Sequence, residues 1–280
     1  MTPEDLDLFK EVLTGGVYDE SAWMLVQGGE VPRGRVAAMR AWGKRAALRW
    51  LDRRGLLLVR RMPFDRNRRD RGEDWPLVGY TMTGRCRLDH LQRCIETVLT
   101  EGISGDVAET GVWRGGSCML VKALFQRHGV NDRTIWLADS FRGLPPPRDR
   151  DDGDDLSGFE QLAVSAEQVR RNFARFGLLD ENVRLLEGWF ADTLPAAPIG
   201  RLAVLRLDGD LYSSTMDALQ ALYPRVSPGG FVIVDDYGLL ESCRRAVHDY
   251  FDAHALNPEL ERIDGTGVAW RVPQAATEPH

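Results

Sequence analysis

Four acids in this chain sit where they could do chemistry together. The apolar run Leu202-Ala-Val-Leu-Arg-Leu207 ends in Asp208-Gly-Asp210, and Phe231-Val-Ile-Val234 ends in Asp235-Asp236. Apolar runs of this length read as buried strands. If the two strands are parallel neighbours, Asp208, Asp235 and Asp236 converge beyond their carboxyl ends, where ligands of such sheets sit. Clustered carboxylates without a ligand repel one another. A hard divalent cation such as Mg²⁺, held by two or three of them plus substrate oxygens and water, removes that repulsion. The alternative is that some of these acids cap helices or meet arginines, for example Arg206 or Arg244. No His or Cys cluster accompanies them, so zinc is set aside. Asp210, near the cation without having to ligate it, is the natural general base for a hydroxyl whose pKa the cation lowers. His248 falls on the following helix and reads as structural.

A second constellation lies upstream in Gly105-Asp-Val-Ala-Glu-Thr-Gly-Val-Trp-Arg-Gly-Gly-Ser117. It reads as a short strand from Asp106 to Ala108, an acid at Glu109, and a turn through Thr110, Gly111, Gly115 and Gly116. An apolar helix follows from Ser117 to about Arg127. Glycines let backbone approach a ligand, and a helix start aims free N–H groups at it. The spacing from Gly111 is G-x-x-x-G-G, so the dinucleotide fingerprint G-x-G-x-x-G is not met. A carboxylate beside this turn suits a cationic ligand. The next apolar run, Thr134 to Ala138, closes in Asp139-Ser140, 28 positions after Gly111. An acid there is placed to accept hydrogen bonds from both hydroxyls of a ribose. Trp189, after the run Val183 to Leu186, could stack on an adenine ring or fill the core.

These residues need elements to carry them. A helix capped by Thr2, with Leu6, Phe9, Val12 and Leu13 on one face, ends at Gly15-Gly16. Another is expected from Arg85 to about Glu101, with Leu88, Leu91, Ile95, Val98 and Leu99 spaced to bury. Further helices are expected over Ser165–Phe176 and Ser214–Leu222. Alternation of these helices with the apolar runs predicts an α/β, mostly parallel, doubly wound sheet. Between Pro145 and Asp155 lies a proline-rich and then acidic stretch that reads as a loop over the site.

Composition bounds the rest. The 280 residues, 43% hydrophobic and 28% charged, suffice for a large core, and a net charge of −6 weighs against bulk nucleic-acid binding. Cys86, Cys94, Cys118 and Cys243 form no C-x-x-C pair and read as buried free thiols. No signal peptide or membrane span is visible, so a soluble cytoplasmic protein without membrane partners is expected. The anomaly is residues 33–71, with fourteen Lys or Arg against three Asp. They read as a basic helix covering the core or contacting another subunit, with an anionic partner such as nucleic acid as the alternative. The domain division expected is a helical N-terminal extension or lid over 1–72 and a main domain over 73–280.

Taken together, Glu109-Thr-Gly-Val-Trp-Arg-Gly-Gly-Ser117, Ala138-Asp-Ser-Phe141, Arg171-Asn-Phe-Ala-Arg-Phe-Gly-Leu-Leu179, Gly188-Trp-Phe190, Val204-Leu-Arg-Leu-Asp-Gly-Asp210 and Ser227-Pro-Gly-Gly-Phe231 with Asp235-Asp-Tyr237 resemble the macrocin O-methyltransferase family. The resemblance spans about residues 73–271. It implies a Rossmann-like class I methyltransferase fold, S-adenosylmethionine as methyl donor, Mg²⁺, and a sugar hydroxyl on a glycosylated natural product as acceptor. It assigns the metal ligands to Asp208, Asp235 and Asp236 and the base to Asp210. Cofactor contacts are implied at Thr81, Met82, Glu109, Thr110, Gly111, Gly115, Gly116, Ser117, Asp139, Ser140, Gly188 and Trp189. A homo-oligomer is implied as well. A catechol-type phenolic O-methyltransferase is the alternative within the same fold, since paired oxygens on Mg²⁺ serve either acceptor. The basic segment is the departure from the family pattern.

Overall fold

The computed structural model describes residues 2–19, 22–25, 59–148, 150–153 and 155–274, with the isolated positions Ala47, Trp50, Leu51 and Arg54. Seven strands make the main sheet. In chain order they are β3 (Asp106–Thr110), β4 (Ile135–Asp139), β5 (Val183–Glu187), β6 (Leu202–Leu207), β7 (Val226–Val234), β8 (Glu261–Arg262) and β9 (Val268–Arg271). Their spatial order is β5-β4-β3-β6-β7-β9-β8. The first five pair in parallel, and β9 runs antiparallel to β7 and β8. Every residue of β6 is buried, as expected of a strand covered on both faces. The antiparallel end is absent from the sequence reading. Its strands are short and flanked by polar chain, and Trp270 becomes core only through pairing with Val232.

Helices cover both faces. On one lie α1 (Pro3–Thr14), α3 (Arg85–Thr100), α4 (Gly116–His128) and α5 (Ala166–Arg175); on the other, α7 (Tyr212–Leu222) and α8 (Glu241–Ala253). Thr2 and Asp5 cap α1 reciprocally, and Gly15 closes it in the left-handed conformation at φ 71°. Leu6, Phe9 and Leu13 join the same core as Leu88, Ile95 and Leu124, so the first helix packs into the main body. Two short elements, α2 (Arg66–Asp70) and α6 (Phe190–Thr193), lie between longer ones. A further small sheet pairs β1 (Ala22–Leu25) with β2 (Val59–Met62), which the sequence reading did not anticipate.

Of the basic helix expected within residues 33–71, positions 33–46 and most of 48–58 lie outside the described residues. In the described part of the basic segment, Arg66 pairs with Glu11 at 2.5 Å, Arg69 with Asp74 at 2.6 Å and Arg71 with Glu73 at 2.6 Å. Those guanidiniums are matched by acids of the chain itself.

Strand period sets up the site. Alternate residues of a strand share a face. Val107 and Glu109 face the α3 side with Val204 and Arg206, and with Ile233 and Asp235. The register sets Glu109 beside Arg206, and Arg206 beside Ile233.

Candidate active site

A cavity of about 290 Å³ opens beyond the carboxyl ends of β3, β4, β5 and β6. Of the residues singled out from sequence, Met82, Gly111, Asp139, Ser140, Gly188, Trp189, Asp208 and Asp210 line it. Thr81, Glu109, Thr110, Gly115, Gly116, Ser117, Asp235 and Asp236 lie outside that lining. All of these but Gly115 and Gly116 are polar or charged side chains buried in the protein.

The glycine turn has a steric reason. Gly111 adopts φ 82°, and a Cβ there would meet the Asp208 carbonyl oxygen at 1.7 Å. The backbone of the turn thus lies directly against the strand end that carries the acids. Gly116 N–H donates to the Tyr80 carbonyl at 3.0 Å, tying the start of α4 to the segment that continues into Thr81 and Met82.

Asp139 closes β4 as expected, and the protein already holds its carboxylate. Oδ2 accepts from the Val112 N–H at 2.8 Å and the Trp113 N–H at 3.4 Å, and Oδ1 from the Phe141 N–H at 2.8 Å. Burial raises its pKa, with the three backbone donors opposing. Ser140 spends its hydroxyl on the Gly143 carbonyl at 2.6 Å, shaping the next turn. Trp113, at φ 46°, lines the cavity and donates through Nε1 to Gln161 at 2.9 Å.

The acid cluster forms as the sequence predicts: ligand atoms of Asp208, Asp235 and Asp236 lie within 4.8 Å of one another. It contains two partners the sequence reading missed or left as an alternative. Arg206 Nη1 donates to Glu109 Oε1 at 2.5 Å and to Asp208 Oδ2 at 2.8 Å. Its Nη2 donates to Thr83 Oγ1 at 2.8 Å and to Asp235. Arg87, from the first turn of α3, bonds the other oxygen of Asp235 and lies 3.0 Å from Asp264. The signal for Arg206 was present as a lone charge in an apolar strand. Arg87 carried none. Arg244 instead pairs with Glu241 on its own helix. Glu109 gives one oxygen to Arg206, and the other accepts from Cys118 Sγ at 2.7 Å. Its internal cation is therefore Arg206.

Two guanidiniums do not balance six carboxylates (Glu109, Asp208, Asp210, Asp235, Asp236 and Asp264), and the surplus adds to burial in raising the pKa of the acids left without a cation. Asp210 is pushed up to about 8 by burial, then by the charges of Asp208, Asp235 and Asp139. Asp236 is driven well above the usual carboxylate range by burial and by Asp210, Asp208 and Asp235. Asp236 Oδ2 is buried without a hydrogen-bond partner. An all-oxygen set, an orphaned carboxylate oxygen and excess negative charge fit a hard divalent cation.

The proline-rich and acidic stretch is anchored where it is described. Leu144, Pro145, Pro146 and Arg148 wall the cavity. Asp152, 1% exposed, accepts from the Arg148 and Ser213 N–H groups at 2.6 Å each, and Arg148 pairs with Asp217 at 2.8 Å. The four cysteines are free. Among the described residues no helix is long and apolar enough to cross a membrane.

A doubly wound sheet of this order, with a glycine turn after its central strand, is the Rossmann-like fold of class I O-methyltransferases. The family model for macrocin O-methyltransferase (TylF) matches residues 2–272, and the chain belongs to that family. It is 54% identical over 210 residues to 8-demethyl-8-(2,3-dimethoxy-alpha-L-rhamnosyl)-tetracenomycin-C 4'-O-methyltransferase of Streptomyces olivaceus, covering 71% of this chain and 78% of that one. It is 49% identical over 221 residues to mycinamicin III 3''-O-methyltransferase of Micromonospora griseorubida, covering 76% and 87%. Among solved structures, the O-methyltransferase NovP superposes with a TM-score of 0.80 at 41% identity, covering 97% of this chain and 99% of that one. This chain is thus an S-adenosylmethionine-dependent O-methyltransferase.

Proposed function

We propose that this enzyme methylates a sugar hydroxyl of a glycosylated natural product in antibiotic tailoring, using Mg²⁺ and Asp210 as general base. The observation that carries the reading is Asp210 itself. It lines the same cavity as Asp139, Gly188 and Trp189, and the acid triad stands next to it.

S-adenosylmethionine supplies a methyl group on a positively charged sulfur. Asp139, braced by backbone donors, keeps lone pairs for the ribose hydroxyls. Trp189 and Met82 present apolar surface to the adenine and the methionine chain, and Ser140 and Gly188 shape the walls. Glu109, Thr110, Gly115, Gly116, Ser117 and Thr81 support this wall from behind. Asp208, Asp235 and Asp236 would hold the cation, which when bound would supply polarisation of the acceptor oxygen and lower its pKa. Asp210 takes the hydroxyl proton. Without a cation it retains its own proton at neutral pH, since its pKa stands at about 8. Positive charge in the triad shifts it toward the carboxylate that a base requires. Its φ of 59° is a strained conformation for a non-glycine residue, of the kind kept at functional positions. The sugar acceptor is supported by the relatives' names, one a rhamnosyl 4'-O-methyltransferase and one a 3''-O-methyltransferase. Leu144, Pro145, Leu162 and Phe190 offer apolar surface for the C–H faces of such a substrate.

Methyl transfer from S-adenosylmethionine to a panel of glycosylated natural products, with EDTA and with Mg²⁺ restored, tests the reading. Transfer to a sugar oxygen that EDTA stops is expected. Transfer to catechols with none to glycosides would move the acceptor class.

A further inference from the structure

Two members of the acid triad, Asp208 and Asp235, are held by two buried cations. Arg206 and Arg87 are 2% and 6% exposed. Arg206 reaches four different elements: Glu109 at the end of β3, Asp208 just after β6, Asp235 just after β7, and Thr83 in the segment before α3. Arg87 bonds the remaining oxygen of Asp235, donates to the Arg71 carbonyl at 3.1 Å, and stands in ion-pair range of Asp264 at 3.0 Å. Asp235 therefore has a guanidinium on each oxygen. Asp236 has no such brace on Oδ2.

We propose that Arg206 and Arg87 are positioning residues of the metal centre, forming a guanidinium clamp that presets Asp235 and Asp208 for a divalent cation. The proposal rests on the metal reading given above. A carboxylate oxygen carries two lone pairs, so a hydrogen bond from a guanidinium leaves it able to ligate on the other. The planar fork of arginine suits this task because it bonds two carboxylates at fixed angles, which an ammonium cannot do. Carboxylates this close repel one another and would otherwise swing apart. The clamp keeps Asp208 and Asp235 together, and Asp236 supplies the open ligand atom. Partners that orient metal ligands in this way are worth ~10–100-fold in metal affinity. Arg206 also joins the cofactor turn to the metal ligands, since one nitrogen bonds both Glu109 and Asp208. Arg87 has no contact with that turn.

The opposite role is that the guanidiniums act as rivals, occupying negative charge that the cation would use. The two roles predict opposite signs. Mg²⁺ binding to the full chain is measured by calorimetry and by the Mg²⁺-dependent rise in melting temperature, for wild type, Arg206→Lys, Arg87→Lys and Asp264→Asn. The clamp predicts Mg²⁺ affinity weakened ~10–100-fold in both lysine variants and by a smaller factor in Asp264→Asn, which leaves every ligand and both arginines in place. S-adenosylmethionine affinity should fall in Arg206→Lys and stay unchanged in Arg87→Lys. Equal or tighter Mg²⁺ binding in the folded variants overturns the clamp. Wild type that binds no Mg²⁺ removes the metal reading and the clamp with it, an outcome distinct from variants that match a binding-competent wild type. If Arg206→Lys does not fold, Arg87→Lys and Asp264→Asn decide the question, because their contacts lie away from the cofactor turn. A merely structural role lowers melting temperature equally with and without Mg²⁺.

Discussion

Two acid sites meet at the same cavity, one through Asp139 and the other through Asp208 and Asp210, and they are finished to different degrees. Asp139 meets three backbone N–H groups, and its charge is provided for by the protein. The cluster of Asp208, Asp210, Asp235 and Asp236 meets two guanidiniums and keeps an orphaned oxygen on Asp236. The first is a carboxylate whose lone pairs the protein has already met in part. The second is a charge imbalance that a cation would complete. On the function proposed above, the contrast separates holding a cofactor from activating an acceptor.

The largest test of that contrast is Asp208→Ala, which should abolish methyl transfer and the Mg²⁺ response of the melting temperature together, with S-adenosylmethionine binding retained in equilibrium dialysis. Asp210→Asn should lower kcat by ~10²–10⁴-fold, the usual worth of a general base, while Mg²⁺ and cofactor still bind. Near-normal turnover would take the base role away from Asp210. At the finished site, Asp139→Asn turns one acceptor oxygen into a donor facing backbone N–H groups. It should cost about 1–3 kcal/mol of stability and weaken cofactor binding, leaving Mg²⁺ affinity unchanged.

Acidity gives a smaller and signed effect. The folded pKa of Asp210, about 8, lies above its unfolded value near 3.9. Between those values the folded state binds the proton more tightly, so stability of the cation-free protein falls as pH rises through that window. Melting temperature in EDTA should therefore drop from pH 5 to pH 8, and Mg²⁺ should raise it more at pH 8. A Mg²⁺ shift independent of pH would contradict the charge imbalance. The smallest effect belongs to Arg244→Ala. This arginine pairs with Glu241 at the surface of α8, and its loss should change stability by under about 1 kcal/mol and Mg²⁺ affinity not at all.

Much of this architecture was legible because strands buried on both faces leave apolar runs, and their last residues are polar for a reason. Glu109, Asp139, Asp208 and Asp235 all stand at or just beyond such run ends, and the glycines at 111, 115 and 116 mark the turn between strand and helix. Helix limits followed apolar period and caps, as at Thr2 and Gly15. The antiparallel pair β8–β9 left little trace, because strands of two and four residues fall below the length at which period shows. The pairing of residues 22–25 with 59–62 was invisible for a related reason: its partners are far apart in sequence.

The chain alone determined which residue types end the strands, since that follows from local period and charge. Only the tertiary structure decided which charges answer one another. Arg206 and Glu109 are 97 positions apart, and Arg87 and Asp235 are 148 apart. Sheet register and the seat of α3 bring them together, and no local pattern encodes a contact across such distances. Likewise Glu109 looked free to meet a ligand's positive charge until the fold set an arginine beside it.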